Sequence, residues 1–268
     1  MSAIDDLFTK LRAENRKALM PFVTAGDPDL EFTAAVLKEI VARGASMCEV
    51  GIPYSDPIAD GPVIQASYTR ALGNKIKLHA ILETLGKLAP ELPAPLVTMV
   101  SYAIVYRHGA EKYADALVQR GVAGMIVPDL PAEESAQLSK ICQSRDLSLI
   151  QLITPTTPRD RELKIAETSS GFIYYVSVAG ITGERTALPP GLTDRVELLR
   201  EQTPLPVCIG FGISKPEHVQ MLASVADGLI VGSAIVRRIS EATDQGREAT
   251  LSAVGDYVSS LVEALENI

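Results

Sequence analysis

Eight short apolar runs, bounded by glycine or proline and separated by longer segments of helical pattern, constrain this chain more than any other feature. They are ALMPFVTAG (18–26), SMCEVGIP (46–53), APLVTMVSY (94–102), AGMIVPDLP (123–131), LSLIQLITP (147–155), GFIYYVSVAG (171–180), LPVCIGFGIS (205–214) and ADGLIVGSAI (226–235). Near-continuous apolar runs of this length read as strands buried on both faces. Between them lie the helical patterns of 31–44, which ends on Gly44, and of 109–122, 131–146, 192–202 and 215–225, with a closing helix through 249–268. In 215–225 the expected N-cap is Ser214, with Pro216 in the first turn and Glu217 three residues after the cap.

Strand and helix alternate with no long linker and no shift in composition, so the pattern favours one (β/α)8 barrel, a TIM barrel, over a doubly wound sheet, which usually has fewer strands. The 268 residues would allow two ordinary domains, but a barrel of this kind takes about 250. A single domain over 1–268 is expected, preceded by an extra N-terminal helix: MSAIDDLFTKLRAENRKA is amphipathic, with acids early and bases late.

The net charge of −8 argues against a general nucleic-acid surface. It leaves room for one anionic ligand, since backbone N–H groups bind phosphate without cationic side chains. Cys48, Cys142 and Cys208 are scattered, with no CxxC, which suits a reduced cytoplasmic protein. No signal-peptide core and no apolar run approaching the ~20 residues of a membrane span occurs.

In a barrel, chemistry belongs at the C-terminal ends of the strands and in the loops that follow. Glu49 falls near the end of the second run. Alternation puts it on one face with Met47, and Cys48 and Val50 on the other. Glu49 and Met47 are expected to point inward. At the barrel mouth desolvation would raise the carboxyl pKa, as a general acid/base near neutrality requires. A structural glutamate satisfied by backbone donors or a barrel arginine is the alternative. Asp56 precedes Pro57 and reads as a turn residue; for Asp60, before Gly61, spacing does not decide between turn and chemistry.

Three glycine-bearing turns, GITGER (180–185), GFGIS (210–214) and GSAIV (232–236), follow the last three runs. Such loops, with the N-terminus of a short helix at Ser233, form a phosphate cradle in many barrels; ordinary strand-end turns are the plainer reading. Of the adjacent Tyr174 and Tyr175, one should line the barrel and the other pack against helices. The strand runs hold no lysine for a Schiff base. His79, His108 and His218 have no ligand spacing, read as surface residues and give no metal site. Carboxylates, tyrosines and backbone donors remain: acid–base chemistry on a phosphorylated substrate, without a cofactor.

PFVTAGDP (21–28), EVGIPYSDPIADGPVIQ (49–65), VPDLP (127–131), GITG (180–183), GFGIS (210–214) and GSAIV (232–236), in this order and at these intervals, resemble the tryptophan synthase α-subunit family over essentially the whole chain. The resemblance implies a (β/α)8 barrel that cleaves indole-3-glycerol phosphate to indole and glyceraldehyde 3-phosphate. It also implies a β-subunit partner, in an α2β2 assembly, that carries pyridoxal phosphate; this chain would need no cofactor of its own. Carried over by position, Glu49 and Asp60 match the catalytic carboxylates and Tyr174 the active-site tyrosine. Gly183, Gly212, Gly232 and Ser233 match the phosphate site. Phe22, Val100 and Phe211 fall where the family lines the indole pocket, and Thr182 lies in the loop expected to close over it (179–191), whose lid motion would change tryptic cutting at Arg185. One position departs: Ile104 stands where the family usually has asparagine, at the contact with the β subunit. A stand-alone lyase, a weakly catalytic subunit that activates its partner, and another phosphate-binding barrel are the competing readings.

Overall fold

The computed structural model describes residues 2–57, 60–177, 191–210 and 212–266. Eight parallel strands close into a barrel in chain order: β1 Ala18–Thr24, β2 Cys48–Gly51, β3 Leu96–Met99, β4 Gly124–Ile126, β5 Ser148–Ile153, β6 Ile173–Val176, β7 Val207–Gly210 and β8 Gly228–Val231. The seam joins β1 to β8, with Ala18 opposite Gly228. Each strand lies inside one of the eight apolar runs.

Alternation along the strands sorts the core into two layers. Met20, Phe22, Met47, Val97, Ile126, Ile150, Tyr174, Cys208 and Ile230 fill the interior. Leu19, Val23, Cys48, Val50, Leu96, Leu149, Tyr175, Ile209 and Leu229 pack outward against the helices. The expected facing of Met47 against Cys48 and Val50 holds, and of the two tyrosines Tyr174 points in and Tyr175 out.

The N-terminal helix α1, Ala3–Ala13, begins with a capping box between Ser2 and Asp5 and carries Asp5 and Asp6 early, Lys10 and Arg12 late. That order opposes the helix dipole at both ends. Its apolar face, Ile4, Phe8 and Leu11, closes the N-terminal end of the barrel as part of the interior cluster, and the Phe8 ring lies 5.9 Å from that of Phe172.

The outer helices are α2 Leu30–Ala42, α3 Pro62–Gly73, α4 Leu78–Leu88, α5 Tyr102–His108, α6 Ala110–Val118, α7 Ala136–Gln143, α8 Arg159–Thr168, α9 Leu192–Arg200, α10 Pro216–Ala223, α11 Ser233–Ser240, α12 Ala242–Gln245 and α13 Arg247–Glu266. Among them α3, α4, α5, α8 and the short α12 occupy stretches that the sequence left unassigned.

Two expectations are corrected in α10. Its N-cap is Lys215, not Ser214. Pro216 forces the residue before it out of the helical region, and Lys215 is extended at φ −136°, ψ 151°, so the helix cannot begin earlier. His218 is not a surface residue: it is 6% exposed, and its Nδ1 accepts the Ser214 N–H at 3.4 Å. His79 is exposed, as expected, and so is His108. No described helix is long and apolar enough to cross a membrane.

Candidate active site

Glu49 enters the barrel between Phe22 and Val97, its register partners on β1 and β3. It is 3% exposed, and its Oε1 has no hydrogen-bond partner among the described residues. Among the described residues neither a backbone donor nor an arginine satisfies that oxygen. Burial, and then the charge of Asp60, push the Glu49 carboxyl up to about 8. A carboxyl in such surroundings holds its proton at neutral pH.

Asp60 sits at the end of a turn in which its N–H donates to the Pro57 carbonyl at 3.2 Å. The Gln65 side-chain amide reaches back to the Asp60 carbonyl at 2.7 Å and the Pro57 carbonyl at 3.3 Å. Gly61 caps α3 and Pro62 opens it, so the helix starts two residues after the acid and fixes its exit from the loop. Burial pushes the Asp60 carboxyl up to about 6. Its charge also acts on the buried phenols of Tyr68 and Tyr174, both raised well above the ordinary tyrosine range chiefly by burial. Glu49, Asp60, Tyr68 and Tyr174 therefore share one electrostatic environment. Tyr54 joins them at the rim, its ring 5.6 Å from Tyr68 and its phenol pushed up to about 12 by burial and by Asp60.

Two glycines leave room for these groups. A Cβ on Gly51 would come within 2.9 Å of the Tyr68 hydroxyl and would overlap the Phe22 ring. A Cβ on Gly210 would collide with the Tyr174 ring, approaching Cζ to 2.7 Å. Side chains at either position would displace an aromatic group from the mouth.

Across β1 from β2, β8 and its neighbour β7 end in glycine turns. Gly212 adopts φ +76°, which favours glycine. Gly232 is the N-cap of α11 and accepts the N–H groups of Ile235 and Val236 at 2.9 and 3.1 Å. Ser233 and Ala234 then supply the first-turn N–H groups, which precede the helical ladder. These groups and the helix dipole suit an anion.

The barrel thus brings Phe22, Glu49, Asp60 and Tyr174 to one mouth, with Gly212, Gly232 and Ser233 in the loops of β7 and β8. Val100, one residue past β3, instead packs in the layer between strands and helices. Thr182, Gly183, Phe211 and the expected lid with Arg185 lie outside the described residues. Asp56 is exposed and accepts a hydrogen bond from the Ser55 hydroxyl, as a turn residue does. Sequence reasoning gave no role to Gln65, Tyr54 or Tyr68; Tyr54 and Gln65 lie within the 49–65 motif, and Tyr68 lies in α3, a stretch left unassigned. It also missed the role of Asp129, which accepts from the Ser101 hydroxyl at 2.7 Å and the Tyr102 N–H at 2.8 Å and so fixes the start of α5. Among the described residues no three His, Cys, Asp or Glu side chains come together as a metal site.

Comparison with known proteins matches residues 8–265 to the family model described as tryptophan synthase alpha chain. The tryptophan synthase alpha chain of Rhodopirellula baltica is 56% identical over 277 residues, covering 99% of each chain. The crystal structure of tryptophan synthase subunit alpha from Legionella pneumophila superposes with a TM-score of 0.92 at 36% identity, covering 100% of both chains. A chain of the tryptophan synthase complex from Pyrococcus furiosus gives 0.83 at 33% identity, covering 92% of this chain and 99% of that one.

Proposed function

Because the chain belongs to the tryptophan synthase alpha chain family, and so is a lyase that cleaves indole-3-glycerol phosphate, we propose that Glu49 and Asp60 carry its proton transfers. Breaking the bond to indole C3 needs a proton delivered to that carbon and a base to take the hydroxyl proton as the aldehyde forms. Glu49 does both in turn: protonated, it donates to C3, and the carboxylate left behind accepts from the hydroxyl. Protonation at C3 places positive charge on the indole nitrogen, and Asp60 as an anion stabilises that charge and accepts the N–H. The observation that carries this reading is the pair of displaced carboxyls. At about 8 and about 6, one is an acid and the other a base at neutral pH.

Phe22 offers an apolar wall for the indole ring, and Tyr174 closes the interior beneath it. Gly212, Gly232 and Ser233 hold the phosphate through backbone N–H groups, with Gly183 as a further contact. Thr182 lies in the closing loop, and Phe211 completes the indole pocket. The product indole passes to a β subunit, and the Pyrococcus furiosus neighbour, a tryptophan synthase complex, supports such a partner in an α2β2 assembly. Pyridoxal phosphate belongs to that partner, this chain works without a cofactor, and the enzyme is cytoplasmic. Ile104 is partly buried against the outer core, which suits an apolar counterpart at the subunit contact.

Indole release from indole-3-glycerol phosphate, with and without β subunit, tests the assignment. Glu49→Ala and Asp60→Ala are each expected to abolish release while keeping the far-ultraviolet circular dichroism of the wild type. Near-normal release by either variant overturns the role of that residue.

A further inference from the structure

Two side chains from outside the proposed phosphate cradle grip the β7–α10 loop by the backbone of a single residue. Tyr257, 8% exposed on α13, donates its hydroxyl to the Ser214 carbonyl at 3.0 Å. The N–H of the same Ser214 donates to His218 Nδ1, the longer contact that replaces the expected cap. Ser214 lies two residues after Gly212, so the loop is held immediately beyond its left-handed turn.

The other half of the cradle reaches the same tyrosine. The Arg238 guanidinium lies 3.6 Å from the centroid of the Tyr257 ring, and its Nη1 donates to the carbonyl of Ala234 at 2.9 Å. Ala234 is the second residue of α11, whose first turn presents N–H groups to the anion. One phenol therefore touches both halves: by its hydroxyl the loop after β7, and by its ring the helix after β8.

We infer that Tyr257 is a positioning residue that sets the separation of the two phosphate-binding loops. A phosphate shared between N–H groups of two separate elements needs them at fixed spacing, because hydrogen bonds weaken steeply away from good geometry. The competing account is packing of the C-terminal helix alone, in which the hydroxyl merely satisfies a carbonyl. The inference rests on the cradle reading of Gly212, Gly232 and Ser233.

Tyr257→Phe separates the accounts, since it keeps the ring, its burial and the Arg238 stack and removes only the hydroxyl. The readouts are KM and kcat for indole release, inhibition by inorganic phosphate, and thermal unfolding. Loss of one neutral hydrogen bond that acts through loop placement is expected to raise KM by roughly 3- to 10-fold and weaken phosphate inhibition by a like factor. The value of kcat at saturation should stay within about twofold, the pattern of lost ground-state binding. Arg238→Met, which keeps the length and loses the cation, is expected to move KM and phosphate inhibition in the same direction. Ser233→Asp tests the cradle itself: an acid in the first turn suits the helix but repels an anion. If Ser233→Asp leaves phosphate inhibition unchanged, the cradle reading fails and the positioning role with it. If Ser233→Asp weakens inhibition while Tyr257→Phe changes only the unfolding temperature, or nothing, the cradle stands and the positioning inference is overturned.

Discussion

Glu49 and Asp227 are both buried carboxylates at the ends of barrel strands, and the protein treats them in opposite ways. Asp227 lies just before β8, at the end of the barrel closed by α1, and is 5% exposed. Its oxygens accept the Val207 N–H at 2.9 Å and Arg200 at 3.2 Å, with Arg12 of α1 at 3.6 Å. Asp27, bidentate to Arg70, and Glu162, 2.7 Å from Arg195, are treated in the same way. Glu49 is as deeply buried, yet its Oε1 has no donor among the described residues. Burial alone does not distinguish these acids; the supply of donors does. With donors a buried carboxylate ties elements together. Without them it becomes a proton source near neutrality.

The contrast makes opposite demands on stability, and these are the largest expected effects. The folded Glu49 carboxyl is raised from 4.5 to about 8. The stability linked to it is therefore whole below about pH 4.5 and is lost as pH rises through 8. Glu49→Gln removes that loss. Urea unfolding across this range should show the variant gaining on the wild type and exceeding it at pH 8 by a few kcal/mol, at about 1.4 kcal/mol per unit of displacement. A variant less stable than wild type at pH 8 would break the comparison on this side.

Asp227→Ala should do the reverse. It strands the Val207 N–H and two arginines, and a loss of about 2–3 kcal/mol is expected from the same unfolding measurement. Indole release at saturating substrate should stay near normal, since the group is at the far end of the barrel. Arg12→Ala gives the smallest effect. Its side chain is 49% exposed, so a loss under about 1 kcal/mol is expected, shrinking further in high salt. A large loss insensitive to salt would mean that α1 is held chiefly through this ion pair and not through Ile4, Phe8 and Leu11.

The barrel was legible because strands buried on both faces leave eight uninterrupted apolar runs, and a period of two fixes which residues face inward. Met47 and Glu49 could be set against Cys48 and Val50 before any coordinates. Helix starts were less legible: Ser214 has the right side chain for an N-cap, but the backbone restriction from Pro216 outweighs it, and His218 is buried by a contact only four residues away in the chain. Asp60 could not be separated from Asp56 by spacing, because both precede turn residues. What separates them is closure of the barrel, which half-buries Asp60 close to Glu49 and leaves Asp56 exposed. The same closure brings Tyr174 from β6 and the glycine turns of β7 and β8 to the mouth, a convergence that no local pattern encodes. Val100 shows the limit of transfer by position: one residue past β3, its parity turns it toward the helices.

The most direct measurement of whether Glu49 is stored as an acid is an infrared titration of its carboxyl, taken as the isotope-edited difference between the wild type and Glu49→Gln. Loss of the protonated carboxyl band with a midpoint near pH 8, moving lower in Asp60→Asn because the neighbouring charge is gone, is the expected result. A midpoint in the ordinary glutamate range near 4.5, unaffected by Asp60→Asn, would contradict it.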